Sequence, residues 1–185
     1  MGLFNYFKNE NTILLTLIYR KEGTDAMFGA KNIDKDKYIS LIAESKEMMY
    51  RIAFGYLHDE TKALDAVDEA AYLGYVNLGS LREPQYFKTW IVRILINECH
   101  KILRKSKREF YVDEIPENSR DFGEDTVHLK LALNNLPAEL KKIVILRYFG
   151  GYTIGETAKI LEIPEGTVST RTRKALQILR VEYSD

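Results

Sequence analysis

Six side chains near the carboxyl end, Thr167, Ser169, Thr170, Arg171, Arg173 and Lys174, are the best equipped in this chain to recognise another molecule. Hydroxyls can hydrogen-bond base edges and phosphate oxygens, while guanidinium and ammonium groups neutralise phosphates. They lie within 166–180, where the charges are Arg171, Arg173, Lys174 and Arg180 and no acid intervenes. On one helix, that set suits the major groove of duplex DNA. Covalent chemistry finds no comparable support. Cys99 is the single cysteine, and His58, His100 and His128 stand far apart with no second ligand at metal spacing. The acids Asp65, Asp68 and Glu69 fall on an expected solvent face without a base, nucleophile or metal beside them. An enzyme is therefore disfavoured, and neither cofactor, metal nor small-molecule substrate is expected.

The elements that must hold those six residues can be read from their neighbours. Gly150 and Gly151 follow the apolar run Ile143, Val144, Ile145, Leu146, Tyr148, Phe149 and stop a helix there. Thr153 stands three residues before Glu156, the spacing of a capping box. Ile154, Thr157, Ala158 and Leu161 give a short helix its inner face. Glu162-Ile163-Pro164 is the turn, and proline suits the opening of the next helix because its missing N–H is not needed there. In that last helix Val168, Ala175, Leu176 and Leu179 pack inward while Thr167, Ser169, Thr170, Arg171 and Lys174 face out. The pattern is a helix-turn-helix.

A formal net charge of zero is unusual for a DNA binder, but the charge is segregated. Residues 97–108 carry Lys101, Arg104, Lys105, Lys107 and Arg108 against Glu98. Residues 109–126 carry seven acids against Arg120, and 58–70 carry five acids against Lys62. Separate patches of opposite sign imply more than one charged partner. A lone cysteine fits a reducing compartment. The longest apolar run, Ile13 to Tyr19, is seven residues, too short for a membrane span. A cytoplasmic protein is expected.

Periodicity predicts an all-α chain in two small domains. Residues 1–35 show no clear period and form an extension. The first domain, 36–106, holds a helix over 37–57 with Ile39, Ile42, Met49, Ile52, Ala53 and Tyr56 inward. A second helix over 59–78 buries Ala63, Val67, Ala70 and Val76, and a third opens at Pro84 and turns basic towards Lys105. An acidic, flexible linker spans 107–124, and the second domain spans 125–185.

The stretch YRIAFGYLHDETKALDAVDEAAYLGYVNLGSLREPQYFKTWIVRILINECHKILRK, followed at this distance by LPAELKKIVILRYFGGYTIGETAKILEIPEGTVSTRTRKAL, resembles the sigma-70 family of RNA polymerase sigma factors. The closest group is the extracytoplasmic-function (ECF) class, which keeps only regions 2 and 4. The resemblance covers about 37–182. It implies that Asp65, Asp68 and Glu69 meet core RNA polymerase. It implies that Arg93, Asn97, Lys101, Arg104 and Lys105 bind the minus-ten element of promoter DNA, with the loop Ser80 to Glu83 capturing an extruded base. It assigns Thr167, Ser169, Thr170, Arg171, Arg173 and Lys174 to the minus-thirty-five duplex. An anti-sigma factor, often membrane-bound, is a further implied partner. The chain departs from the family at Asp68, where glutamine is common, and at Ala71, Gly155 and Thr157, where larger residues are usual. Trp90, spaced with Phe87 and Ile94, reads as core rather than as a base-stacking residue. Met27 precedes the resembling part and is an alternative start. The rival reading is a stand-alone helix-turn-helix regulator whose amino-terminal half dimerises or senses.

Overall fold

The computed structural model describes residues 33–109 and 124–182, and among them every regular element is helical. Residues 1–32 of the expected extension (1–35) and most of the expected acidic linker (107–124) lie outside the described residues, while Ile33 is buried and the first helix already begins at Lys35.

Three helices form the amino-terminal bundle: α1 (Lys35–Leu57), α2 (Glu60–Val76) and α3 (Phe87–Glu109). Aspartates start the first two. The Asp34 carboxylate accepts from the Lys37 amide at 2.8 Å and that of Asp59 from the Lys62 amide at 2.9 Å, filling amides that lack intrahelical partners. Between α1 and α2 the chain reverses at His58, which is left-handed at φ 51°. Alanines make close packing possible along α2, where Ala63, Ala66, Ala70 and Ala71 are fully buried with Val67. Gly74 extends that seam: a Cβ there would lie 2.5 Å from the Tyr38 hydroxyl and 2.7 Å from Ile91 Cδ1.

Tyr38, rather than Ile39, takes the core position at the start of α1. Its ring meets Phe87 edge-on at 5.7 Å and its hydroxyl donates to the Ala71 carbonyl at 2.6 Å. The hydrogen bond lets a polar aromatic be buried there without an orphaned group. At the far end of α2, Val76 is half exposed rather than buried, because it is the last residue of the helix. Two short 3₁₀ turns, Leu78–Ser80 and Pro84–Tyr86, lead into α3, so Pro84 opens a 3₁₀ turn ahead of the α-helix. Trp90 packs against Phe87 with ring centroids 6.0 Å apart and donates from Nε1 to the Ser80 hydroxyl at 3.2 Å, in keeping with a core role.

The carboxy-terminal bundle comprises α4 (Glu124–Asn135), α5 (Ala138–Val144), a π-helical turn (Ile145–Phe149), α6 (Ile154–Leu161) and α7 (Glu165–Glu182). Leu133, Leu136, Leu140, Val144 and Ala175 pack together, and Ile143, Ala158 and Val168 form a smaller apolar knot. Leu176, expected inside, is 42% exposed, since Ala175 takes the inward position on that turn of α7. The glycine stop is wider than an α-helix end. Gly150 donates five residues back to the Ile145 carbonyl at 2.9 Å, and Gly151 takes φ 72°, which glycine adopts without strain.

The two bundles share one apolar core. Ile145, Leu146, Tyr152 and Ile160 of the second are buried in the same cluster as Ile52, Tyr56, Ile91 and Leu95 of the first. Close approach occurs at two glycines. A Cβ on Gly55 would be 3.1 Å from the Phe149 ring, and one on Gly150 would be 3.0 Å from Ile52 Cδ1.

Candidate nucleic-acid interface

Helix α7 carries the candidate duplex-reading residues, and α6 sets its angle. The expected capping box is present at the start of α6: the Thr153 amide donates to the Glu156 carboxylate at 2.8 Å and the Glu156 amide to the Thr153 hydroxyl at 3.2 Å. The Thr153 amide, and then its hydroxyl, which also donates to the carboxylate at 2.8 Å, hold the Glu156 carboxyl below its usual range. Left-handed Glu162 at φ 56° ends α6, and α7 begins at Glu165. On α7, Thr170, Arg173 and Lys174 are exposed while Thr167, Ser169 and Arg171 are half-buried. The Thr170 hydroxyl donates to the Gly166 carbonyl at 2.9 Å, leaving its oxygen lone pairs outward. Arg171 is held by Glu139 of α5 at 3.2 Å. Lys142 shares the same carboxylate at 3.0 Å, and with Arg171 it lowers the Glu139 pKa. Thr172, absent from the sequence-based set, is buried and back-bonded to Val168 at 2.7 Å, so it serves the helix interior.

A second basic stripe runs down α3. Asn97, Lys101, Arg104 and Lys105 are all exposed, at spacings of four, three and one that keep them on one side of the helix. Lys101 pairs with Glu98 at 3.1 Å. Arg93, one turn above Asn97, is placed differently. Its Nε donates to the Ile160 carbonyl at 3.0 Å, another of its nitrogens donates to the Lys159 carbonyl, and a third meets the Glu162 carboxylate at 2.8 Å. It thus caps the carboxyl end of α6, where unpaired carbonyls and the helix dipole favour a cation. Sequence reasoning missed this contact, because nothing local links positions so distant along the chain. Arg51 of α1 makes a parallel one, donating from Nε to the Phe149 carbonyl at 3.1 Å while it pairs with Glu47 at 2.7 Å.

The acidic set lies on α2. Asp65 and Glu69 are exposed and Asp68 is half-buried, all three on one face by their spacing. In the stretch before α3, Ser80, Arg82 and Glu83 are exposed, whereas Leu81 is buried in the core. Burial raises the Cys99 thiol to about 12, which makes it a packing group rather than a nucleophile. Among the described residues there is no cluster of three or more His, Cys, Asp or Glu that could hold a metal, and no helix long and apolar enough to cross a membrane.

Two family models match in order along the chain: Sigma-70 region 2 over residues 41–109 and Sigma-70 region 4 over residues 128–179. The RNA polymerase sigma factor SigV of Bacillus subtilis is 31% identical over 159 residues, covering 83% of this chain and 95% of its own length. The ECF RNA polymerase sigma factor SigW of Bacillus subtilis is 26% identical over 174 residues, covering 84% of this chain and 93% of SigW. Among solved structures, CnrH in complex with the cytosolic domain of CnrY superposes with a TM-score of 0.65 at 18% identity, over 82% of this chain and 90% of that one. The sigma factor RpoE of Bartonella quintana, in complex with the anti-sigma factor NepR, gives 0.60 at 22% identity over 78% and 97%. At those identities the superpositions speak for the fold. The stand-alone regulator gains no support from any of these matches. Two separated basic stripes, an acid-faced helix ahead of both in the chain, and both region models in order lead to one assignment: the chain belongs to the sigma-70 family of RNA polymerase sigma factors, in its extracytoplasmic-function subfamily, and directs promoter-specific transcription initiation.

Proposed function

We propose that the protein works by three surfaces of different charge. Asp65, Asp68 and Glu69 on α2 dock on a basic element of core RNA polymerase. Asn97, Lys101, Arg104 and Lys105, joined by Arg93 when it is released, hold the opened minus-ten strand. Thr167, Ser169, Thr170, Arg171, Arg173 and Lys174 read the minus-thirty-five duplex. The observation that carries this reading is the pair of exposed basic stripes on α3 and α7, each in the part of the chain matched by a different family model.

The physics favours dependence on polymerase. A stripe with three or four cations gives a binding constant that falls steeply with salt, so each stripe alone holds DNA weakly. Fixing both on one enzyme raises affinity through effective concentration. Single-stranded bases are gripped by stacking and a basic groove along the backbone, which an arginine- and lysine-lined helix supplies. Sigma factors are non-enzymatic initiation factors, and the buried, unreactive Cys99 accords with that. The relative RpoE is described in complex with an anti-sigma factor, and a partner of that class is inferred here, acting in the cytoplasm. In vitro transcription with core polymerase and a promoter library tests the reading. Initiation at a defined promoter subset is expected, and no initiation above core enzyme alone would remove it.

A further inference from the structure

Four acids stand between Leu136 and Arg180, and three of them are engaged. Glu139 pairs with Lys142 and Arg171, Glu156 closes the capping box of α6, and Glu162 meets Arg93. The fourth, Glu165, is exposed at the first residue of α7. Among the described residues its carboxylate has no ion pair or hydrogen bond. Steps of four along the helix place it in one row with Ser169 and Arg173, two of the six reading residues. It therefore heads the face that α7 turns to the duplex, at the end of a recognition helix that meets base edges.

Room for that side chain comes from α6. Gly155 lies in the first turn of α6, and a Cβ there would stand 3.1 Å from Glu165 Oε1 and 3.7 Å from its Cδ. Apart from its chain neighbours and the backbone of its own helix, nothing else among the described residues would lie within 4 Å. Gly155 has no positive φ, so its backbone does not call for glycine. What the missing Cβ provides is space for the Glu165 carboxyl where the amino ends of α6 and α7 approach each other.

The chemistry of a carboxylate narrows what it can meet. A phosphate repels it. In the major groove guanine presents only acceptors, at N7 and O6, and thymine an acceptor beside a methyl group, so neither offers it a proton. Adenine sets its N7 acceptor beside the N6 amine and suits an amide, which both donates and accepts. Cytosine presents the N4 amine alone, and a carboxylate accepts from it.

We propose that Glu165 is a base-reading residue of α7 that selects cytosine in the minus-thirty-five duplex, with Gly155 as its positioning residue. The inference rests on the duplex-reading role proposed above for α7. It adds an acid to a set that otherwise holds only hydroxyls and cations, and it supplies sequence choice that phosphate contacts lack.

The test is in vitro transcription by the full chain with core RNA polymerase, on a promoter library randomised across the minus-thirty-five element, with sequencing of the templates used. For the parent, cytosine is expected at one position of either strand, favoured by about fivefold to 100-fold over the other bases. Glu165→Gln should move that preference to adenine, and Glu165→Ala should abolish it, both with the other positions unchanged. Gly155→Leu, which fills the space, should weaken the cytosine preference while initiation and helix content persist. Gly155→Ala, the smaller change, should weaken it less. An acid that only complements the helix dipole predicts a different profile: Glu165→Ala would lower initiation uniformly and leave every base preference intact. That profile, or a parent with no cytosine position, overturns the inference. A cytosine preference in both Gly155 variants as strong as in the parent overturns the positioning role. A parent that initiates nowhere defeats the proposed function as well, whereas one that initiates without selecting cytosine defeats only this inference.

Discussion

Gly55 sits directly beneath the ring of Phe149, and a Cβ at that glycine would approach the ring to 3.1 Å. One residue belongs to the interior of α1 and the other to the π turn of the second bundle, so the bundles meet where a side chain is missing. Gly55→Leu should therefore pry them apart. In α1 itself the change is favourable by about 0.5–1 kcal/mol, since glycine is a poor residue inside a helix. The expected result is a larger radius of gyration by small-angle X-ray scattering with no loss of helix content. An unchanged radius would mean that Phe149 moves aside and the bundles stay joined.

Thr157 is fully buried on α6 and its hydroxyl has no hydrogen-bond partner among the described residues. Valine has nearly the same shape without the unpaired group. Thr157→Val should stabilise the protein by about 1 kcal/mol, seen as a rise in Tm of roughly 2–4 °C in calorimetry. A lower Tm would mean that the hydroxyl has a solvent partner.

His58 closes α1 in a left-handed conformation, and its ring packs towards the second bundle. Burial, then Lys141 and Lys130, push its pKa down to about 4, while a hydrogen bond with Asn134 acts in the opposite direction. His100, on the T-shaped stack with Tyr56, is also lowered, mainly by burial and then by Lys142, Arg104 and Lys141, with Glu139 opposing. The unfolded chain takes up a proton on each histidine near pH 6.5, and the folded chain resists until lower pH. Stability should hold above pH 6.5 and fall between there and about pH 4. His58→Asn, which tolerates the left-handed backbone, should flatten part of that decline in urea titrations at stepped pH. An unaltered slope would assign the whole effect to other groups.

Arg171 is half-buried on α7 and oriented by Glu139. If it anchors a phosphate, Arg171→Ala should weaken duplex binding by the holoenzyme about equally across promoter sequences. The slope of log K against log salt should also shrink by about 1. A change confined to one base position would make Arg171 a base reader.

Local rules in the sequence carry much of this fold. Asp34, Asp59 and Thr153 are short polar residues ahead of apolar periods, and each caps the helix that follows it. Spacing alone puts Asn97, Lys101 and Arg104 on one exposed stripe. What the pattern hides is contact between segments far apart in the chain. Tyr38 displaces Ile39 from the core because a carbonyl of α2 is there to take its hydroxyl. Ile160 is buried against a bundle that no period within α6 reveals. Arg93 illustrates the same limit at the candidate site, since a cation on a basic helix reads as a phosphate ligand until its neighbour is known.

The π turn at Ile145–Phe149 sets a counting constraint on this part of the chain. One residue more than an α-helix needs is wound into that turn, which aims the Phe149 carbonyl at Arg51 and sets Gly150 against Ile52. Losing a single residue within α5, where none is in excess, would rotate everything beyond it by about 100°. Both helices of the helix-turn-helix would then leave the turn in a new direction. Substitutions within this stretch can be absorbed by repacking, but a change in its length cannot.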